Sequence, residues 1–129
     1  SETFKGANTT CFAYGQTGSG KTFTMNGDRK NKETRGLMPR TFDLVFEKIE
    51  QEKLLEVEVR MFMLELYLDK LIDLFSDSSD GQKEKIIIRK NRFGTVMPTG
   101  VNVRVANEAA DLYTTLTKAW SNGRYLVQK

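Results

Sequence analysis

The residues of this 129-residue chain that are best suited to chemistry stand together between positions 15 and 22. This segment fits the pattern G-x-x-x-x-G-K-[ST] at every fixed position. Glycines in such a loop let backbone N–H groups turn inward around phosphate oxygens, where a larger side chain would collide. The sequence therefore predicts a nucleotide-phosphate site formed by Gly15, Gln16, Thr17, Gly18, Ser19, Gly20, Lys21 and Thr22.

Two side chains of this loop have distinct expected roles. Lys21 would supply positive charge to the β- and γ-phosphates of a nucleotide, and the Thr22 hydroxyl would ligate Mg²⁺. The helix expected to follow would add its free N–H groups and the positive end of its dipole. A dinucleotide-binding loop is disfavoured, because the spacing of Gly18 and Gly20 requires a third glycine at the position of Phe23.

The composition excludes several other kinds of chemistry. The chain has no histidine and one cysteine, Cys11, so it forms neither a histidine-dependent catalytic site nor an intramolecular disulfide. One thiolate is also too few for a structural zinc site. A lone cysteine favours a reducing compartment, and no stretch approaches the ~20 apolar residues that a membrane span needs.

Local patterns place the loop between a strand and a helix. Residues 9–14 form a short β-rich run that ends at the loop, and a helix is expected from Lys21 to Met25. Residues 26–36 are polar and flanked by glycine, which is typical of a surface loop. A second helix should begin near Pro39. The apolar residues that recur in it with helical spacing are Phe42, Val45, Phe46 and Ile49.

The central part of the chain alternates like a strand. Residues 55–67 are half-buried at first and then apolar on both sides, as in a strand that enters the centre of a sheet. Residues 71–75 suggest a short helical turn. Glu65 falls on the apolar face, so we interpret it as a hydrogen-bonded structural carboxylate rather than a catalytic base. We interpret Asp73 as a capping or solvated residue, because no four-residue apolar run of the Walker B kind leads into it.

The C-terminal part indicates small antiparallel hairpins followed by a helix. Apolar runs at 86–88 and 95–97 flank a turn at 91–94, and alternating valines follow at 101–105. Asn107 is expected to cap the final helix. Its first turn is expected to be acidic, with Glu108 and Asp111 near the positive end of the helix dipole. The residues expected along its buried face are Ala109, Leu112, Tyr113, Leu116 and Trp120.

The charges are distributed unevenly along the chain. Residues 1–40 carry seven basic and three acidic residues, residues 41–80 four and eleven, and residues 81–129 nine and three, which predicts a polarised surface. Between positions 81 and 104, six basic residues face one acid, Glu84. Hairpins this basic can bind nucleic acid, but Phe93 alone is available for base stacking, which argues against single-stranded nucleic acid.

Several segments together resemble the kinesin motor domain. Residues 12–25 match the phosphate loop of that family nearly letter for letter. Residues 35–40 are similar to its G-[IL]-x-P-R, and residues 64–75 to its E-[IL]-Y-N-E-x-[IL]-x-D-L-L. Residues 88–105 and Gly123-Arg124 are similar to its small lobe and third helix. The likeness covers essentially residues 1–129, and it is nearest to the C-terminal-motor kinesins of the calmodulin-regulated type.

The resemblance implies an α/β P-loop NTPase fold with a central mixed or parallel sheet, flanking helices and a small antiparallel β lobe at about residues 83–105. It implies ATP or ADP with Mg²⁺ as ligands, a microtubule as partner, and a cytoplasmic, cytoskeletal location. Nucleic acid is not an expected partner, and a dimer would form through regions outside this chain. The lobe residues expected to contact the microtubule are Arg89, Lys90, Arg92 and Arg104.

Some motifs of the family have no counterpart here. The sequence lacks the first strand with the R-x-R-P segment that holds adenine, and it lacks the S-S-R-S-H and D-L-A-G-S-E switches that orient water and sense the γ-phosphate. Residues 125–129 depart from the family pattern, and the chain begins with Ser1. We therefore interpret the chain as an N-terminal-to-middle fragment of a motor domain. Because no catalytic residue is visible in it, the fragment alone is expected not to hydrolyse ATP.

Three functional hypotheses remain at this point. The first is the ATP-binding part of a motor that couples ATP hydrolysis to movement along microtubules. The second is a truncated or degenerate kinesin that binds microtubules or another partner without ATP turnover. The third is an unrelated P-loop kinase, which is disfavoured because no arginine-rich lid is apparent. The two switch motifs, if present in the full-length protein, would distinguish the first hypothesis from the second.

Overall fold

The computed structural model describes residues 2–28, 31–53, 56–76 and 85–122. The chain divides into two compact units, residues 1–44 and residues 45–129. In chain order the elements are a 3₁₀ turn (Glu2–Lys5), α1 (Lys21–Asn26), a second 3₁₀ turn (Lys32–Thr34), α2 (Leu37–Gln51), β1 (Val59–Met61), β2 (Leu64–Tyr67), β3 (Lys70–Asp73), β4 (Ile87–Lys90), β5 (Val96–Thr99), β6 (Arg104–Ala106) and α3 (Ala109–Asn122).

The segment before the glycine loop is not a strand. Residues 9–14 were predicted as one, but they pair with no other segment in the described part of the chain. The side chain of Phe12 is 80% exposed and that of Tyr14 is 95% exposed. A strand exists only when a neighbour satisfies its backbone N–H and C=O groups, so β-rich composition alone does not form one.

The two predicted helices of the N-terminal half are present. α1 covers the expected Lys21–Met25 and ends one residue later at Asn26. α2 begins at Leu37, two residues before Pro39, which is buried within the first turn. Residues 26–36 form the predicted polar connection, with most of the described side chains exposed, but Gly36 is buried. The predicted apolar stripe of α2 is half-buried, at Phe42, Val45, Phe46 and Ile49.

The long central strand is divided into two. β1 ends at Met61 and pairs antiparallel with β6, whereas β2 pairs antiparallel with β3. The helical turn predicted at residues 71–75 is therefore wrong for its first half, since β3 extends to Asp73. A two-residue turn, Leu68-Asp69, reverses the chain with φ angles of 47° and 60°. Positive φ at both central residues is the geometry of a type I′ hairpin, but the pair lacks the usual glycine or asparagine signal.

The predicted C-terminal hairpin is confirmed. β4 and β5 pair antiparallel, with Arg89 opposite Met97 and Lys90 opposite Val96. The side chain of Asn91 closes the turn by accepting hydrogen bonds from the N–H groups of Phe93 and Thr95, both at 2.9 Å. The valines at 101–105 do not extend this hairpin, because β6 pairs with β1 instead. The strands of the described residues form three separate two-stranded sheets, all of them antiparallel. The central mixed or parallel sheet therefore stays a prediction.

The core of the second unit lies between the strands and α3. Leu74, Phe75 and Ala119 are buried together, and three half-buried residues pack against them: Met61, Met63 and Ile72. Leu112 and Leu116 are buried on the predicted face of α3. Asn107 is not the capping side chain. The Asp111 carboxylate reaches back to the N–H groups of Asn107 and Glu108, at 2.8 and 3.2 Å. A carboxylate near a helix N-terminus satisfies the free N–H groups there.

Candidate nucleotide-phosphate site

The glycine loop takes backbone conformations that only glycine adopts without strain. Gly18 has φ 82° and Gly20 has φ 87°, both in the left-handed region. Gly20 is also the residue from which α1 begins. Side chains at these two positions would strain the loop, so both glycines are required by conformation. The backbone geometry therefore agrees with the sequence pattern at the fixed position Gly20, and Gly18 adds a second left-handed residue at a variable position of the pattern.

The start of the loop is closely packed against its end. A Cβ added to Gly15 would lie 2.5 Å from the Ser19 Oγ and 3.2 Å from its Cβ. The backbone N–H of Ser19 donates to the Gln16 carbonyl at 3.2 Å. These contacts bend residues 15–19 into a compact turn that directs the chain into α1. Gly15, the other fixed glycine of the pattern, also has φ 154°, a conformation that residues with a Cβ rarely adopt.

Lys21 is folded back over the loop. Its Nζ donates hydrogen bonds to the carbonyl oxygens of Gly15 and Gln16, both at 2.7 Å. The side chain is half-buried, and the ammonium is held against the loop from the first turn of α1. An ammonium has three N–H donors, so two of them fix its position and the third can point at a ligand. This arrangement places a full positive charge at the loop.

Thr22 follows on the first turn of α1 with its side chain exposed. The first turn contains no acidic residue, which suits an anion near the free N–H groups of the helix. Among the described residues, no three of His, Cys, Asp and Glu are grouped so that they could hold a metal ion. A hydroxyl such as that of Thr22 is the kind of oxygen ligand that Mg²⁺ takes together with phosphate oxygens and waters.

Sequence reasoning missed a second pair of glycines, at the far end of α1. Gly27 ends the helix, with φ 70° and its N–H donating to the Phe23 carbonyl at 2.7 Å. Gly27 and Arg35 form an antiparallel bridge. It is flanked by hydrogen bonds from the Gly36 N–H to the Asn26 carbonyl, 3.1 Å, and from the Asp28 N–H to the Thr34 carbonyl, 3.0 Å. The sequence signal that could have identified this pair is the presence of a glycine near each end of the polar segment 26–36.

The four basic residues predicted for the lobe do not form one group. Arg89 and Lys90 lie on β4, and Arg92 lies in the turn that follows, with its guanidinium 4.7 Å from the centroid of the Phe93 ring. Arg104 lies on β6, in a different strand pair. One of its guanidinium nitrogens donates to the Phe75 carbonyl at 3.3 Å. Three of the four residues therefore share the exposed hairpin, and the fourth is tied to the core of the second unit.

The two carboxylates singled out by sequence take structural positions. Glu65 is buried on β2, opposite Ile72. The two oxygens of Asp73 accept hydrogen bonds from the backbone N–H groups of Phe75 and Asn102, at 2.8 and 2.6 Å. Asp73 therefore does not cap a helix; its carboxylate is occupied by one backbone donor of the following turn and one that is 29 residues away, which is a structural role.

A glycine loop of this pattern that leads into a helix, with a lysine held over it, is typical of P-loop nucleotide-binding proteins. A family model described as "Kinesin motor domain" matches residues 1–127, and the chain belongs to this family. The predicted family resemblance is therefore confirmed. No helix in the described part of the chain is long and apolar enough to cross a membrane.

Curated relatives carry kinesin names. The chain is 37% identical over 128 residues to kinesin-like protein KIF15-A of Xenopus laevis, covering 92% of this chain and 9% of that protein. It is 31% identical over 133 residues to kinesin-like protein KIN-5A of Arabidopsis thaliana, covering 95% and 13%. It is 45% identical over 87 residues to kinesin-like protein KIF11 of Mus musculus, covering 61% and 8%. The chain thus spans a small part of these relatives, and the likeness to C-terminal-motor kinesins stays a prediction.

Proposed function

We propose that the chain forms the ATP-binding part of a microtubule-based motor, in which Gly15 to Thr22 hold the phosphates of ATP or ADP. The observation that carries this proposal is the position of Lys21, whose ammonium donates to the carbonyls of Gly15 and Gln16. A charged group fixed in this way needs little reordering when an anion binds, so less affinity is lost to side-chain entropy. Family membership supports the same role.

The loop also suits phosphate by shape. Gly18 and Gly20 are in left-handed conformations, and a Cβ added to either would meet open space. Phosphate oxygens can therefore approach the backbone N–H groups closely, without a side chain between them. The first N–H groups of α1 have no partner within the helix and add further donors. Residues 15–22 thus offer several N–H groups and one ammonium to a single anion.

Magnesium would be held by the Thr22 hydroxyl together with phosphate oxygens of the bound nucleotide. When bound, Mg²⁺ neutralises charge on the β- and γ-phosphate oxygens. Thr22 itself contributes one oxygen from a position next to Lys21, on the exposed face of the first turn of α1. In the full-length protein we expect a microtubule-stimulated ATPase. Residues 1–129 contain neither switch motif, so we expect them to bind nucleotide without hydrolysing it.

The hairpin formed by β4 and β5 is the proposed microtubule contact. Arg89, Lys90 and Arg92 are all exposed on it, and Arg92 has its charge over the face of Phe93. Exposed cations of this kind raise the rate of association with an acidic polymer, through interactions that are screened beyond ~8 Å at physiological salt. A cytoplasmic, microtubule-bound location follows from the same proposal.

The test of the phosphate site is a nucleotide titration of the full-length protein in the presence of Mg²⁺. Lys21→Ala should weaken the affinity for ADP by at least about tenfold, because a charge-assisted contact is lost. Lys32→Ala is the matched control, since Lys32 is an exposed lysine of the same unit outside the loop, and it should bind like the parent. An affinity of Lys21→Ala within about threefold of the parent would contradict the proposal.

A further inference from the structure

The helix that carries Lys21 is held at its far end by a close approach of two backbone segments. A Cβ added to Gly36 would collide with the carbonyl group of Met25 and with the carbonyl carbon of Asn26. A Cβ added to Gly27 would collide with the Thr34 carbonyl oxygen and the Gly36 nitrogen. These neighbours are backbone atoms, which cannot turn aside as a flexible side chain can. Only glycine therefore permits this approach at either position.

The approach is fastened by hydrogen bonds on both sides. The Gly36 N–H donates to the carbonyl of Asn26, which is the last residue of α1. The Asp28 N–H donates to the Thr34 carbonyl. Gly36 is buried and directly precedes Leu37, the first residue of α2. The end of α1 and the beginning of α2 are thus joined through one antiparallel bridge rather than through a free loop.

Arg40 adds a second set of bonds from α2. Its Nε donates to the Arg35 carbonyl at 2.9 Å, and a terminal guanidinium nitrogen donates to the Glu33 carbonyl at 3.0 Å. Both carbonyls belong to the segment that leads into Gly36. A planar guanidinium with fixed donors holds two such acceptors in one geometry. We call Gly27, Gly36 and Arg40 the junction. In it, Arg40 of α2 fixes the segment that packs against the end of α1.

We propose that this junction positions Lys21 and Thr22 and so determines nucleotide affinity; the inference rests on the proposed function. α1 has six residues, too few to be stable alone, so its orientation is set by whatever holds its two ends. The glycine loop holds one end and the junction holds the other. The Gly27 N–H donates to the carbonyl of Phe23, two residues after Lys21, so a displacement at Gly27 is passed to the first turn of α1 through this hydrogen bond. Phosphate contacts are sensitive to small displacements, as positioned groups generally are.

The experiment measures the dissociation constant for Mg-ADP in the full-length protein and in two junction variants, at a temperature where circular dichroism shows each protein folded. Gly36→Ala inserts a methyl group into the backbone contact and should raise the dissociation constant about tenfold. Arg40→Gln removes the guanidinium without adding an atom to the junction, and should raise it about threefold. Arg40 is exposed, so this variant keeps the test decisive if Gly36→Ala does not fold.

Two further variants separate the possible outcomes. Leu116→Val removes a methylene group from the core of the second unit, where Leu116 is 1% exposed, and should lower the thermal midpoint without changing the dissociation constant. An equal rise in dissociation constant for Leu116→Val and the junction variants would overturn the inference, because general destabilisation would then explain it. Lys21→Ala in the same series tests the proposed function. Loss of binding in Lys21→Ala alone would overturn the junction inference and leave the phosphate site supported.

Discussion

The carboxylate of Asp73 binds Asn102 twice: Oδ2 accepts from the backbone N–H at 2.6 Å and from the side-chain amide nitrogen at 2.8 Å. Its other oxygen accepts from the Phe75 N–H at 2.8 Å. Asp73 ends β3, and Asn102 lies between β5 and β6. One side chain therefore joins two segments that are 29 residues apart, and it does so beside the buried residues Leu74 and Phe75.

We predict that Asp73→Ala destabilises the protein by about 1–3 kcal/mol, because backbone donors of Phe75 and Asn102 lose their acceptor. The measurement is the free energy of unfolding in urea. Glu50→Ala is the matched control, since Glu50 is an exposed carboxylate on α2, and it should change the stability by less than about 0.5 kcal/mol. Equal effects of the two substitutions would show that the Asp73 carboxylate is not a structural tie.

The turn of the β2–β3 hairpin predicts a stabilising substitution. Leu68 has φ 47°, a left-handed conformation that a leucine rarely adopts, and its side chain is 75% exposed. Asparagine tolerates this conformation better, so Leu68→Asn should raise stability by about 0.5–1 kcal/mol. Leu66→Asn is the control, because Leu66 is 67% exposed in the neighbouring strand without positive φ. A gain of equal size in Leu66→Asn would assign the effect to lost apolar exposure rather than to the turn.

Magnesium dependence tests the role of Thr22. Thr22→Ala should bind nucleotide more weakly in the presence of Mg²⁺ and should lose most of the difference in affinity between magnesium and a chelator, because its hydroxyl would no longer ligate the ion. Thr24→Ala, an exposed threonine of the same helix, is the control and should keep the parental dependence. The titration is repeated at several Mg²⁺ concentrations. An unchanged requirement for Mg²⁺ in Thr22→Ala would remove Thr22 from the metal site.

The basic residues of the β4–β5 hairpin should act by speeding the association of the protein with microtubules. In the full-length protein, the triple variant Arg89→Ala, Lys90→Ala, Arg92→Ala should reduce microtubule co-sedimentation at low salt and flatten its salt dependence, while nucleotide affinity is kept. Arg104→Ala should instead lower the thermal midpoint, because its guanidinium donates to the Phe75 carbonyl. Parental co-sedimentation of the triple variant at every salt concentration would mean that the hairpin is only a solvated surface.

Local signals in the sequence were sufficient for much of this structure. Residue types and their spacing over a few neighbouring positions predict the glycine loop, α1, α2, the turn at Asn91 and α3. The strand at residues 9–14 could not be decided in this way, because a strand depends on a partner elsewhere in the chain. The β2–β3 hairpin was missed for a different reason, since Leu68 and Asp69 take positive φ without the usual residues.

The sequence predicted which residues form the candidate site, but it did not predict which residues hold that site in position. The residues of the loop were identified by their spacing, yet Gly27, Gly36 and Arg40 act through a contact between segments that no local period reveals. Arg104 was grouped with Arg89, Lys90 and Arg92 because they are close in sequence. The pairing of β6 with β1 rather than with the hairpin separates it from them.

The bridge between Gly27 and Arg35 closes residues 28–34 into a loop whose two ends are already fixed. For a loop with fixed ends, each doubling of length costs only about 0.6 kcal/mol in closure entropy. Extra residues, a peptide tag or a fluorescent label inserted between Asp28 and Asn31, before the turn that Asn31 caps, would therefore leave the bridge and the helix that bears Lys21 in place. The length of this segment can therefore change while the loop that faces the nucleotide stays the same.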